Sequence, residues 1–307
     1  MYFPYFRGRQ YELLALKELA AKKLIPKSVV PVIEPVKLIP ALNNSLTAFQ
    51  SSALPVGLIL NPNVGDLADE PEIISNLLNK FASSTNIIPS VLLNESAEEV
   101  IRKLKALGIS EDNVLIVFNN QDYIQDYQAL FSNAPKFTLC PYDRYIRRVV
   151  TQNSVLFENK FRKKSRNADY PEEEPFSNDH LDYKIEHYVG FGDYSIIGDE
   201  YIESGFAPYA VAIHIVYFDE NNSLKIMHFI SDSNDDISDV AGKFYEAVGK
   251  LYTWYVKGTQ RRQLTSGLQT LLDHYENRTY PGLPTLKKLS IMHHLELMGR
   301  YLDGGLS

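Results

Sequence analysis

The sequence predicts an α/β protein of (β/α)8 TIM-barrel type with an elaborated C-terminal hairpin and closing helices, on three observations. Short apolar runs alternate with amphipathic helical patterns through the first half of the chain. The runs recur at even intervals, roughly 25 residues apart, as repeating βα units require. At 307 residues the chain has the length of such a barrel. An open doubly wound sheet shares the alternation and the right-handed crossovers, but no Gly-rich phosphate fingerprint follows the first strand, which favours the barrel.

Tyr2 to Phe6 reads as the first strand. In the segment after it, Leu13, Leu16, Leu19 and Ala20 fall on one helical stripe with charges opposite, an amphipathic helix. "SVVPVIEPV" (28–36) reads as a strand, "ALNNSLTAFQ" as a short helix and "PVGLILNPN" (55–63) as a strand. "EPEIISNLLNKFAS" follows as a helix with Pro71 near its first turn. The cycle repeats with "IIPSVLLN", "SAEEVIRKLKALG" and "NVLIVFNN"; Ser96 and Glu99 have capping-box spacing, and Gly108 is a natural helix stop. "DYIQDYQALFS" reads as helix, "KFTLCPY" as strand, "DRYIRRVV" as a short helix and "SVLFENKF" as strand, giving seven strand candidates by residue 161. Beyond them, two strand-like runs in "FAPYAVAIHIVYFDENNSLKIMHFIS" flank an Asp-Glu-Asn-Asn turn and predict a hairpin that elaborates the last barrel strand. Amphipathic helices at about 239–303 close a single barrel-like domain spanning 1–307.

A formal net charge of −7 excludes a surface built throughout to hold nucleic acid, so any phosphate contact must be local. The one cysteine, Cys140, permits neither an intrachain disulfide nor a thiolate metal cage, which fits a reducing compartment. The N-terminal segment has no signal-peptide pattern and no apolar run reaches the length of a membrane span, so the expectation is a soluble cytoplasmic protein without a membrane partner.

Barrel chemistry sits where strands end at the C-terminal face. Polar residues at those ends are Glu34, Asn61, Asn94, Glu95, Asn119, Asn120, Asp143, Arg144 and Glu158. Asn and Asp also end strands because they favour turns and helix caps, but glutamate has no such preference. Glu34, Asp143 and Glu158 are candidates for general acid–base work or for holding a divalent cation, the two glutamates with no turn preference to explain their place. In "HYVGFGDYSIIGDEY" (187–201), Asp193 and Asp199 stand among glycines that suit either a ligand loop or two tight turns. His214 and His228 lie within apolar runs and read as core or interface histidines; His293 and His294 project about 100° apart on a helix and are poorly placed to share a metal. No Ser-His-Asp or Cys-His signature is present.

The most charged stretch is "FENKFRKKSRNADYPEEEPF" (157–176), a predicted βα loop at about 160–180. Its basic half, Lys160, Arg162, Lys163, Lys164 and Arg166, can attract a phosphate at the barrel mouth, while the glutamates after it can fold back on the same charges.

"MYFPYFRGRQYELLAL", "VVPVIEP", "RNADY", "GFGDYSIIGDEY" and "AVAIHIVY" together resemble the sce7725 family of bacterial proteins, and more distantly the phage beta-protein family, over nearly the whole chain. The shared positions are Tyr5, Arg7, Glu12, Glu34, Arg166, Asn167, Asp169, Tyr170, Gly190, Asp193, Tyr194 and Asp199. The resemblance implies a phage-defence or mobile-element setting and a nuclease-like companion protein. It also shifts weight within the charged block to Arg166, Asp169 and Tyr170, expected in order at the mouth with 171–178 mobile. The resulting expectation is a mouth that binds a nucleotide or nucleic acid through Arg7, Asn61, Arg166, Asp169, Tyr170 and Asp199. Glu34, Glu158 and Asp193 would hold Mg²⁺, and Glu34, Asp143, Glu158 and Asp193 would hydrolyse a phosphoester. The competing expectation is a non-catalytic sensing subunit that binds its companion through Trp254 and the closing helices.

Overall fold

The computed structural model describes residues 1–81, 84–202, 208–258 and 263–304. In chain order the elements are β1 (Tyr5–Phe6), α1 (Gln10–Ala21), β2 (Val32–Ile33), α2 (Pro40–Ser52), β3 (Val56–Ile59), α3 (Pro71–Phe81), β4 (Ile87–Leu92) and α4 (Ala97–Ala106). There follow β5 (Leu115–Val117), α5 (Ile124–Leu130), β6 (Phe137–Cys140), α6 (Ile146–Val149), β7 (Ser154–Phe157), β8 (Glu173–Ser177), α7 (Asp179–Asp182) and β9 (Gly190–Gly192). The chain ends with β10 (Ala212–Phe218), β11 (Leu224–Ile230), α8 (Val240–Lys257), α9 (Ser266–Glu276) and α10 (Leu283–Leu302).

Where the alternation reads as one domain over 1–307, internal packing divides the chain into two compact units. Met1–Asn159 with Asp179–Tyr194 form one, and Lys160–Asn178 with Ser195–Ser307 form the other.

The first unit is a nearly closed, barrel-like sheet of eight parallel strands flanked by helices, in the order β1-β2-β3-β4-β5-β6-β7-β9. Its interior is one buried cluster that includes Phe3, Tyr5, Val32, Ile59, Leu92, Val117, Leu139, Phe157 and Tyr194. Because side chains alternate along a strand, Phe3 and Tyr5 facing inward put Tyr2 on the outer face. The N-terminal segment is gripped from both sides. Tyr2 N–H donates to Ser28 O (2.8 Å), while Phe3 N–H donates to Phe191 O (2.8 Å) and Tyr5 N–H to Asp193 O (2.8 Å).

The eighth strand differs from the sequence expectation. It is the Gly-Phe-Gly run at 190–192, which reads as turns because it has no apolar alternation, and not the hairpin. Glycine serves a packing purpose here: a Cβ on Gly190 would lie 2.8 Å from Met1 O, and one on Gly192 would lie 2.3 Å from Phe3 O. Only a chain without side chains can approach the N-terminal strand so closely.

In the second unit β10 and β11 pair antiparallel, and β11 also pairs antiparallel with β8, a three-stranded sheet of its own in the order β10-β11-β8. The beginning of the predicted hairpin run, 206–207, lies outside the described residues. Residues 171–178, expected as a mobile loop, instead supply edge strand β8; Pro175 sits at a register shift between Leu224 and Lys225, a position where an edge strand tolerates proline. Glu173 is held there by Tyr217 Oη (2.6 Å) and Lys225 Nζ (3.1 Å). On α10 the two adjacent histidines part as their helical phase requires: His293 Nδ1 lies 2.8 Å from Thr265 Oγ1, and His294 Nδ1 lies 2.9 Å from Ser195 Oγ.

Candidate functional site

Glu34 follows β2 and is fully buried. Its Oε2 accepts from Tyr5 Oη (2.7 Å) and pairs with Arg7 Nη1, and its Oε1 accepts from the Asn63 amide (2.8 Å). The Arg7 guanidinium stands 5.5 Å from the Tyr5 ring centroid and 5.8 Å from that of Tyr194. Burial pulls the Arg7 pKa down, but Glu34, Tyr5 and Tyr194 together outweigh it, so the group sits above its ordinary value and stays charged. Burial, reinforced by Glu34, pushes the Tyr5 phenol well up and keeps its proton on. Glu34 is thus an ion-paired acceptor of three donors.

The other predicted acids go elsewhere. Asp193 neighbours the inward-facing Tyr194 and by alternation faces outward, where its Oδ1 accepts from Tyr2 Oη (2.8 Å). Glu34 and Asp193 therefore lie on opposite faces of the sheet. Glu158, half-buried after β7, accepts from the Tyr142 amide (3.1 Å). Asp143 caps α6: Oδ1 accepts from the amides of Tyr145 (2.8 Å) and Ile146 (2.9 Å), and Oδ2 from Gln121 Nε2 (2.6 Å). The Ile146 bond is the main reason its carboxyl titrates below the usual range. Among the described residues no group of three or more His, Cys, Asp or Glu side chains is placed to hold a metal ion, so the expected Mg²⁺ set of Glu34, Glu158 and Asp193 does not assemble.

Asn61 joins two strand ends. Its Nδ2 donates to Leu92 O (2.8 Å) and its Oδ1 accepts from Leu92 N (2.9 Å), a bridge from β3 to β4. Glu12, another position of the family resemblance, is buried and accepts from the Arg9 amide (3.0 Å) at the start of α1.

A cluster the sequence reading passed over lies in "YDRYIRR" (142–148), on the outer side of β6. Arg147 Cζ is 4.8 Å from the Tyr142 ring centroid and 5.2 Å from that of Tyr188. Arg144 and Arg148 approach the Tyr145 ring at 5.1 and 5.7 Å. Arg147 donates to Glu186 O (3.0 Å) and pairs with its carboxylate at 3.6 Å. Arg144 and Arg148 make no salt bridge among the described residues. Tyr142 and Tyr145 are 56% and 46% exposed, whereas Tyr188 is buried and its hydroxyl has no hydrogen-bond partner among the described residues. The Asp143 cap fixes the turn that carries this ladder. The signal was the interleaving of tyrosine and arginine at a spacing of one to three residues.

The "RNADY" positions fall in the second unit. Arg166 and Asp169 form an exposed two-pronged ion pair (3.0 and 2.8 Å), and Asn167 Nδ2 donates to Ala210 O (2.7 Å). Asp199 is exposed in the same unit. Tyr170 is buried, its ring centroid 4.7 Å from both His214 and His228.

Those two histidines are register partners across β10 and β11, with Nδ1 atoms 2.7 Å apart, a gap that holds one proton. His228 Nε2 lies 3.3 Å from Glu174 Oε1. Burial holds His214 well below its ordinary value, with His228 and Lys287 adding, and burial lowers His228 against the opposing pull of Glu174. The unfolded chain takes up protons below about pH 6.5 that the folded pair refuses, so stability contributed above that pH is lost as pH falls through it. Denaturant unfolding between neutral pH and about pH 5 should show this decline, and His214→Leu/His228→Leu should flatten it; a flat profile in the unmodified protein would contradict the buried pair.

The same unit holds a pocket of about 930 Å³ whose lining includes Phe229, Tyr245, Lys250, Trp254, Lys257 and Tyr275. Lys250 is already bonded to Ile230 O and Asp232 (2.6 Å each). Among the described residues no helix is long and apolar enough to cross a membrane. Compared with protein-family models, curated proteins and solved structures, the chain matches none.

Proposed function

We propose that the protein is a barrel-type recognition protein that holds a phosphate-bearing ligand without cleaving it, in the phage-defence or mobile-element setting that its resemblance to the sce7725 family implies. One observation carries this reading: among the described residues the acids expected to converge on a metal are dispersed and individually satisfied, while Arg144 and Arg148 stand without salt bridges against the exposed Tyr145. A phosphoester hydrolase working through metal ions needs carboxylates gathered around them. A binding surface needs only fixed positive charge and rings to stack on.

A second reading is favoured by the Trp254 pocket. Its size and aromatic lining suit an anchor from a companion protein, and Trp254 packs 5.5 Å from Tyr217 and 5.6 Å from Phe229, a rigid wall for such an anchor. Association of labelled nucleotides and oligonucleotides with the full chain in EDTA and in Mg²⁺ tests the first reading: equal affinity with the ligand recovered intact is expected. Stabilisation by the companion alone, with no response to phosphate-bearing ligands, would favour the second.

A further inference from the structure

We infer that the flank formed by Tyr142, Arg144, Tyr145, Arg147 and Arg148 is a single-stranded nucleic-acid site, with bases on the two tyrosine rings and phosphates on Arg144 and Arg148. The inference rests on the recognition reading and names its ligand and its place.

Tyr142 and Tyr145 are largely exposed, each with an arginine over its ring, and such a ring–guanidinium stack is complementary to an unstacked base, whereas a duplex hides base faces and presents edges. Their rings are held in place: Arg147 stands against Tyr142 and Tyr188, and Arg144 and Arg148 both approach Tyr145. Rings ordered before the ligand arrives lose little entropy on binding. Arg147 is engaged by Glu186 and acts as the spacer of the ladder, whereas Arg144 and Arg148 lie against Tyr145 without a salt bridge among the described residues and keep N–H donors for the backbone. The Tyr188 hydroxyl is a buried donor with no acceptor among the described residues, and a ligand oxygen entering beside Arg147 would supply one. With a net charge of −7 over the chain and Glu158 and Glu186 nearby, the site suits a short strand that makes few phosphate contacts. Two such contacts correspond to a salt slope of about −1.4, from roughly −0.7 for each single-strand phosphate.

The test is fluorescence anisotropy with a labelled oligothymidylate of about 12 nucleotides, comparing the full chain with Tyr142→Ala/Tyr145→Ala and Arg144→Ala/Arg148→Ala. ATP and a duplex of the same length serve as further ligands, and circular dichroism melts confirm that the exposed substitutions leave the fold intact. The tyrosine pair should weaken binding by at least about tenfold. The arginine pair should weaken it and remove most of the salt slope. Binding of the single strand that is unaffected by the tyrosine pair, or equally tight duplex binding, would overturn the site. ATP bound without any dependence on these residues, and no oligonucleotide binding, would overturn the site while leaving the recognition reading standing. Failure of every phosphate-bearing ligand would remove both.

Discussion

Glu34→Ala should destabilise the protein by about 3–5 kcal/mol, the range for removing one partner from a buried ion pair. The loss comes from the groups left behind. Arg7, only 16% exposed in its side chain, keeps its charge but loses the Glu34 carboxylate, and the Tyr5 hydroxyl and Asn63 amide lose their acceptor. A carboxylate held ready for catalysis behaves in the opposite way, because active sites carry strain and removing their charged groups commonly stabilises the fold. The sign of the change therefore separates a structural from a catalytic Glu34. Replacing both partners, Arg7→Met with Glu34→Leu, should cost clearly less than Glu34→Ala alone, since an apolar pair leaves no stranded charge. Denaturant unfolding of the three variants reads out both comparisons. A stabilised Glu34→Ala protein would contradict the structural role.

Gly192→Ala should cost about 3 kcal/mol, at the upper end of the range for inserting a methyl group into packed structure. The new Cβ would lie 2.3 Å from the Phe3 carbonyl oxygen and 3.1 Å from Phe3 Cβ, and the first of these is backbone that cannot rotate aside. The strand must move away from the N-terminal segment, and the hydrogen bonds from Phe3 N–H and Tyr5 N–H across the seam lengthen with it. The N-terminal strand should then lose hydrogen-exchange protection before the rest of the barrel does. If Gly192→Ala melted like the parent protein, the sheet would be open at this edge.

These residues also show where sequence reasoning reaches and where it stops. β2 to β7 are legible because each is a run of Val, Ile, Leu or Phe bounded by turn or helix signals, and local composition suffices to specify them. β9 is not legible because Gly190-Phe191-Gly192 has no strand propensity of its own; the strand exists because β7 pairs with it on one side and Met1 to Tyr5, far away in the chain, supply a partner on the other. β8 is hidden for a similar reason. Glutamates and Pro175 read as solvated loop, and the pairing with β11 that makes them an edge strand is non-local. The β10–β11 hairpin is legible as two apolar runs about a turn, but its separation from the barrel as a three-stranded sheet with β8 is not, nor is the placing of "RNADY" beside the histidine pair.

For the site, the position of Glu34 at a strand end could be read, but its role could not. The donors that satisfy it come from three segments, Tyr5, Arg7 and Asn63, and only the fold brings them together. Asp193, expected in a ligand loop or a tight turn, follows strand β9 directly, where Tyr194 faces the interior and Asp193 faces away. Asp143 followed the ordinary preference of aspartate for helix caps. The ladder at 142–148 was in view as a run of tyrosines and arginines, but its third ring, Tyr188, comes from a segment 40 residues later, and a linear reading has no means of pairing it with Arg147.

The central claim is recognition without turnover, and the most direct test is the fate of the ligand. The full chain is incubated with an end-labelled single-stranded oligonucleotide in Mg²⁺ and in EDTA, and bound and free ligand are resolved alongside any shortened products. Dispersed carboxylates predict equal binding in both conditions and full-length ligand in both. Mg²⁺-dependent cleavage that disappears in a folded Asp193→Asn or Glu158→Gln protein would contradict the account.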